Sequence, residues 1–131
     1  MTLLCCGDRN WTNFAVVRRV LKEFLQEDPI ITVVHGDCRG ADKICGYVAR
    51  ELGMKVVPEH ANWESGRWAG PVRNQFMLDK YKIDVVIAFH NNLAKSKGTK
   101  DMVERAKKVN IPIVLVSESG VKTQTTLKGF V

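Results

Sequence analysis

Apolar residues fall into two kinds of run along this chain. Short continuous runs occur at Leu3–Cys6, Ile30–Val34, Lys55–Val57, Ile83–Phe89 and Ile111–Val116. Most are β-branched, and each reads as a strand. Between them, apolar residues recur at helical spacing. Phe14, Val17, Val20, Leu21, Phe24 and Leu25 make a first stripe, and Ile44, Val48, Ala49 and Leu52 a second. Val72, Phe76 and Tyr81 are expected to face inward from a third helix, and Met102, Val103, Ala106 and Val109 from a fourth. The punctuation agrees. Thr12 or Asn13 caps the first helix and Asp28-Pro29 stops it. Gly53 ends the second, Pro71 sits near the first position of the third, and Thr99 is expected to cap the fourth. Pro112 stands near the start of a strand, where proline is tolerated.

Strands that alternate with amphipathic helices predict an α/β fold. Parallel strands need crossover connections, and right-handed crossovers place helices on both faces of the sheet. The expectation is therefore a Rossmann-like open parallel sheet of about five strands. Residues 1–116 form a single domain on this reading. Residues 117–131, polar and threonine-rich, are an edge strand or a loose tail of it.

Open parallel sheets bind ligands beyond the carboxyl ends of their strands. The unusual polar residues of this chain follow the predicted strands. They are Gly7 to Arg9, Gly36 to Asp42, His60 to Arg73 and His90 to Thr99. All four segments should share one sheet edge and build a cationic cleft suited to phosphates. The central stretch, IITVVHGDCRGAD, runs from strand through a glycine-containing turn into a helix. That order offers backbone N–H groups to an anion. Its glycines are spaced G-x-x-x-G, which is neither the dinucleotide fingerprint nor a P-loop, and Ala41-Asp42 replaces the P-loop's Lys-Ser/Thr. An ordinary βα turn explains the same residues, with Asp42 favouring the helix dipole. Arg9 either meets a ligand or pairs with Asp8 or Asp37. Arg73 falls in the first turn of a helix, where a cation opposes the dipole, so a bound anion or a carboxylate is expected beside it. Trp63 and Trp68 either cover a nucleobase or pack as lids on the core. Asp37, Asp42 and Asp101 are the acids near the cleft, and none has an evident nucleophile partner.

A chain of 131 residues suits one domain, and 45% hydrophobic residues suffice for a core. The net charge of +6 permits an anionic partner. Much of that excess lies between Lys95 and Lys108, which nets +4. The four cysteines, Cys5, Cys6, Cys38 and Cys45, form no C-x-x-C pair and no zinc spacing. They read as buried thiols in a reducing cytosol, with Cys6 and Cys38 near two strand ends. His35, His60 and His90 are too scattered to suggest a metal, so no metal site is expected. No run is long enough to span a membrane and no signal peptide is recognisable, so a cytoplasmic protein without a membrane partner is expected.

Taken together, GDRNW, HGDCRGAD, ANWESGRWAGPVRN and VVIAF leading to GT resemble the YspA/YpsA-related branch of the SLOG superfamily. The resemblance runs from Leu3 to about Val116. It extends to the LOG phosphoribohydrolases, which release a base from a nucleoside monophosphate, and to DprA, which binds single-stranded DNA. It implies a Rossmann-like fold and a ligand loop of Gly36, Arg39, Gly40, Ala41 and Asp42. It puts Trp63 and Gly66 in the loop entering an Arg73-Asn74 pair like that of the DprA relatives. Gly98-Thr99 looks like the Gly-Thr of the LOG phosphate motif. The LOG motif's glutamate is replaced here by Met102, with Asp101 one position away. A homodimer is a further implication.

Three functions are therefore weighed. The first is a binding module or sensor for a nucleotide-derived ligand, a ribonucleotide or an ADP-ribose-like molecule. Gly7, Arg9, Gly36, Asp37, Arg39, Gly40, Ala41, Asp42, Trp63, Arg73, Asn74, Gly98 and Thr99 would hold it. The second is a nucleotide hydrolase, with Asp42, Arg73 and Asp101 as catalytic candidates. The third is single-stranded nucleic-acid binding through the Lys95–Lys108 face.

Overall fold

A computed structural model describes residues 1–120 and 122–125. In chain order the main elements are β1 (Thr2–Gly7), α1 (Phe14–Glu27), β2 (Thr32–His35), α2 (Ala41–Glu51), β3 (Lys55–Pro58), α3 (Ala69–Lys80), β4 (Val85–Phe89), α4 (Gly98–Lys108), β5 (Ile113–Val116) and β6 (Lys122–Thr125). One-turn 3-10 helices at Trp63–Ser65 and Leu93–Lys95 interrupt the loops before α3 and α4. The sheet order is β3-β2-β1-β4-β5-β6. The first five strands are parallel, and β6 runs antiparallel against β5. Of the two expectations for the last residues, an edge strand forms at Lys122–Thr125. Residues 126–131 lie outside the described residues.

Period-two alternation sorts the strand residues into two cores. Leu3, Cys5, Val33, Ile87, Phe89 and Val114 join Val17, Val20, Ile44 and Val48 on the side covered by α1 and α2. Leu4, Cys6, Val34, Val86, Ala88 and Ile113 join Met77, Met102, Val103 and Ala106 on the side covered by α3 and α4. These strands are buried on both faces, which is why their sequences read as continuous apolar runs.

Several boundaries and facings differ from expectation. Ile30 is 79% exposed, and β2 begins only at Thr32. The amino group of Met1 donates to the Ile30 carbonyl and pairs with Asp28, which holds that turn outside the sheet. Phe14 does not join the α1 stripe; it packs edge-on against Tyr47 of α2, and both rings stay about half exposed. Asn13 is the α1 cap, its side chain accepting from the Val16 N–H at 3.1 Å. Helix α3 turns differently from its apolar spacing. Val72 and Phe76 are exposed, whereas Ala69, Asn74 and Met77 are buried. Val109 also points outward, past the end of α4. Thr99 is inside α4 rather than its cap; its N–H donates to Ser96 Oγ at 3.0 Å.

Candidate functional site

After β1 the chain runs towards α1 on one side, and after β4 it runs towards α4 on the other. The connections therefore part between these adjacent strands. This is the topological switch point, where an open sheet leaves a crevice. A cleft of about 750 Å³ opens there. The end of β1 and the turn after it supply Gly7, Asp8, Arg9 and Asn10, and the turn after β2 with the start of α2 supplies Gly36, Cys38, Arg39 and Asp42. Trp63, Arg67, Trp68, Arg73 and Asn74 come from the long loop and the start of α3. His90, Lys95, Lys97, Gly98, Thr99 and Asp101 come from the segment between β4 and α4.

Most of the sequence candidates thus meet, but three do not face the cleft. Asp37 has a left-handed backbone, φ 54°, and turns its carboxylate to His60 Nε2 at 2.8 Å, with Lys43 Nζ at 3.9 Å. Gly40 faces a neighbouring groove instead. Ala41 is fully buried, and its N–H donates to the Asp8 carbonyl at 3.0 Å. The α2 N-terminus therefore has one amide fewer for an anion than an open helix end would offer. The cationic run after β4 is also divided. Lys95 and Lys97 line the cleft, while Lys107 and Lys108 lie at the far end of α4, ~15 Å along its axis.

Arg73 ties the site together. It is the fifth residue of α3, so its carbonyl-rich surroundings come from other segments. Its Nη1 donates to the Gly36 carbonyl at 2.5 Å and the Glu59 carbonyl at 3.2 Å. Its Nε donates to Asn74 Oδ1 at 3.1 Å, and Nη2 lies 4.0 Å from Cys38 Sγ. Backbone oxygens thus take the place of the expected anion or carboxylate. Gly36 makes this approach possible, since a Cβ there would stand 2.5 Å from the guanidinium carbon. Asn74 carries the network onward. Its Nδ2 donates to Asp101 Oδ2 at 3.0 Å and lies 3.4 Å from the Gly98 carbonyl. Asp101 also pairs with Arg105 Nε at 2.8 Å. The adjacent Arg73 and Asn74 side chains thereby fix the turn after β2, the end of β3 and the start of α4.

Two buried titratable groups lie near this staple. Asp42 is 6% exposed and accepts from the Cys38 N–H at 3.3 Å. Burial raises its pKa to about 6, against the lowering effect of its hydrogen bonds and of Arg73. His35 is 2% exposed, and its Nδ1 accepts from the Asp37 N–H at 2.9 Å. Burial lowers its pKa to about 4, so the ring is neutral near pH 7 with its proton on Nε2. That nitrogen is buried without a hydrogen-bond partner among the described residues. Cys6 lies in the cleft wall, and burial pushes its thiol pKa up.

The rim is aromatic and cationic. Arg9 sits over the Trp63 ring at 5.4 Å, and Arg67 over Trp68 at 5.0 Å. Arg9 thus meets neither Asp8 nor Asp37 as its ion partner. Trp63 and Trp68 are 52% and 63% exposed, so neither is a lid sealed onto the core. Sequence reasoning missed the roles of Asn10, Cys6, Met77 and Met102 in lining the cleft. Cys6 alone carried a signal, its place near the end of a strand.

The sheet, with its cationic crevice at the switch point, is that of a Rossmann-like α/β protein. The chain belongs to the YspA, cpYpsA-related SLOG family, whose model matches residues 1–66. The match covers β1 through the Trp63 turn; Arg73-Asn74 and Gly98-Thr99 lie beyond it. No curated protein matches the chain. Membership points to a nucleotide-related role in binding or processing. Among the described residues, no helix is long and apolar enough to cross a membrane, and no cluster of side chains suits a metal ion.

Proposed function

We propose that the protein binds a nucleotide or nucleotide-derived ligand, a ribonucleotide or ADP-ribose-like molecule, as a sensor or binding module. The observation that carries this reading is the cation set of the cleft. Arg9, Arg39, Arg67, Lys95 and Lys97 surround it, and among the described residues no ion pair engages any of them. Phosphate oxygens would meet Arg39, Lys95 and Lys97 beside the Gly98-Thr99 start of α4. Trp63 offers a ring face to a base if Arg9 turns from it to a phosphate. Asp42, at the cleft wall, would accept from a ribose hydroxyl. Arg73 holds the walls rather than the ligand.

Calorimetric titration with AMP and ADP-ribose tests this. Arg39→Ala should weaken binding at least tenfold while leaving the melting temperature unchanged, because Arg39 is exposed. Equal affinity in the variant, or no binding of either ligand to the wild type, would refute the reading.

A second reading has one specific observation in its favour. A carboxyl group at a cleft wall with a pKa near 6 can exchange a proton at neutral pH. Asp42 would then serve as the acid or base for cleavage of an N-glycosidic bond. Asp101 is a poorer candidate, being held by Asn74 and Arg105. Release of free base from a nucleoside monophosphate, abolished in Asp42→Asn, would establish the hydrolase. Binding without any product over hours would leave the binding module.

A further inference from the structure

A second groove of about 1070 Å³ lies between the N-terminal halves of α1 and α2, outside the cleft but touching it. Arg9 and Arg39 line both cavities. These two arginines stand where the two cavities meet, with the Arg9 guanidinium over Trp63 on the cleft side. On the groove side, Arg18 and Lys43 add two more cations, and among the described residues no acidic one lines it. Arg18 pairs with Glu51 and Lys43 with Asp37, and neither acid is among the groove-lining residues.

The groove is also aromatic. Phe14 and Tyr47 meet edge to face, with centroids 5.8 Å apart and planes at 86°. They form a right-angled corner that leaves Phe14 42% and Tyr47 54% exposed. Folding does not require this exposure. Asn13 caps α1 without Phe14, and the two-sided core is complete without either ring. An aromatic corner among cations suits a flat ring carried on an anionic link. The cleft on the other side repeats the combination, with Trp63 beside Arg9.

We infer that the α1–α2 groove is a second subsite for the same ligand, and that this ligand has two nucleoside halves joined through phosphate. One half lies in the cleft, and the linking phosphates reach Arg39, which both cavities share, with Arg9 beside it. The ring of the other half rests on the Phe14–Tyr47 corner. A cleft of about 750 Å³ already has the size of a complete small-molecule site, so the groove extends the ligand rather than completing a mononucleotide. The inference rests on the proposed nucleotide binding and names its ligand class.

Calorimetry with three probes on the intact protein tests it: AMP, the pyrophosphate-linked diadenosine diphosphate, and the phosphodiester-linked ApA. At least one two-nucleoside probe should bind ten or more times as tightly as AMP. The tighter of the two identifies the link. Tyr47→Ala and Phe14→Ala should each remove most of that advantage while leaving AMP affinity unchanged. Both side chains are about half exposed, so circular dichroism should match the wild type and the melting temperature should fall by only a few degrees, from loss of the edge-to-face contact. Equal affinity for AMP and both two-nucleoside probes overturns the inference. So does an advantage that survives both alanine variants. If AMP itself fails to bind, the proposed nucleotide function fails first, and the outcomes are thereby distinguishable.

Discussion

Replacing Arg73 with alanine should destabilise the protein before it affects any ligand. The guanidinium makes three hydrogen bonds, at 2.5, 3.2 and 3.1 Å, to the Gly36 carbonyl, the Glu59 carbonyl and Asn74 Oδ1. Hydrogen bonds from a charged donor contribute about 1.5–3 kcal/mol each, and bonds sharing one donor group are not additive. Water can reach part of the vacated space, because Arg73 is only half-buried. A loss of about 3 kcal/mol is the expected net. For a domain of this size that is roughly a 9–15 °C fall in melting temperature. Arg73→Lys should recover a minority of it, since an ammonium cannot reproduce the fork that reaches two carbonyls and a neighbouring amide. Thermal unfolding by circular dichroism gives the first readout. Carbon-detected titration of the Asp42 carboxyl gives an independent one. Arg73 lowers the Asp42 pKa, so the alanine variant should titrate above the wild-type value of about 6. A melting temperature within 2 °C of wild type, together with an unmoved Asp42 titration, would refute the view of Arg73 as the staple of the site.

Two buried groups should oppose each other in acid. Asp42 has a folded pKa raised from 3.8 to about 6, so it lowers stability as pH rises through roughly 4 to 6. His35 has one depressed from 6.5 to about 4, so its protonation lowers stability as pH falls through roughly 6.5 to 4. Each shift of about two units corresponds to about 3 kcal/mol, and in the wild type the slopes largely cancel. Asp42→Asn should therefore be more stable than wild type at pH 8 and should lose stability steeply between pH 6.5 and 4; parallel urea-unfolding profiles would contradict this. Gly46→Ala should destabilise by about 1–3 kcal/mol although alanine favours helix, because its Cβ would stand 2.7 Å from His35 Nε2; a stabilised variant would show that the histidine can move aside. Ser96→Ala should cost about 1 kcal/mol by removing the acceptor for the Thr99 N–H, and an unchanged denaturation midpoint would show that this bond contributes nothing net.

Strand and helix order, the parallel sheet and the gathering of polar turns at one edge were all legible in the sequence. They follow from local periodicity and from the rule that parallel strands need crossovers. The Asn13 cap was legible for the same local reason. Facing was not legible wherever a helix carries apolar residues on two sides. In α3, Val72 and Phe76 suggested the inner face, but buried Asn74 and Met77 hold it, because Asn74 must reach Asp101 on α4. Phe14 likewise fitted the α1 stripe by spacing, and only its contact with Tyr47 reveals it at the rim of a groove.

The candidate site divides in the same way. Its location followed from topology; Arg39, Asp42 and Trp63 could be named as candidates from residue type and position, and Gly98 from the resemblance. What each does depends on atoms far away in sequence. Arg73 is 37 positions from Gly36, yet its guanidinium rests on that carbonyl. Asp37 in the turn after β2 and Asp42 at the start of α2 are close in sequence, and the left-handed backbone at Asp37 sends one out to His60 while the other is buried. A one-dimensional pattern records which side chains a turn contains; only packing decides which are satisfied by the protein and which remain for a ligand.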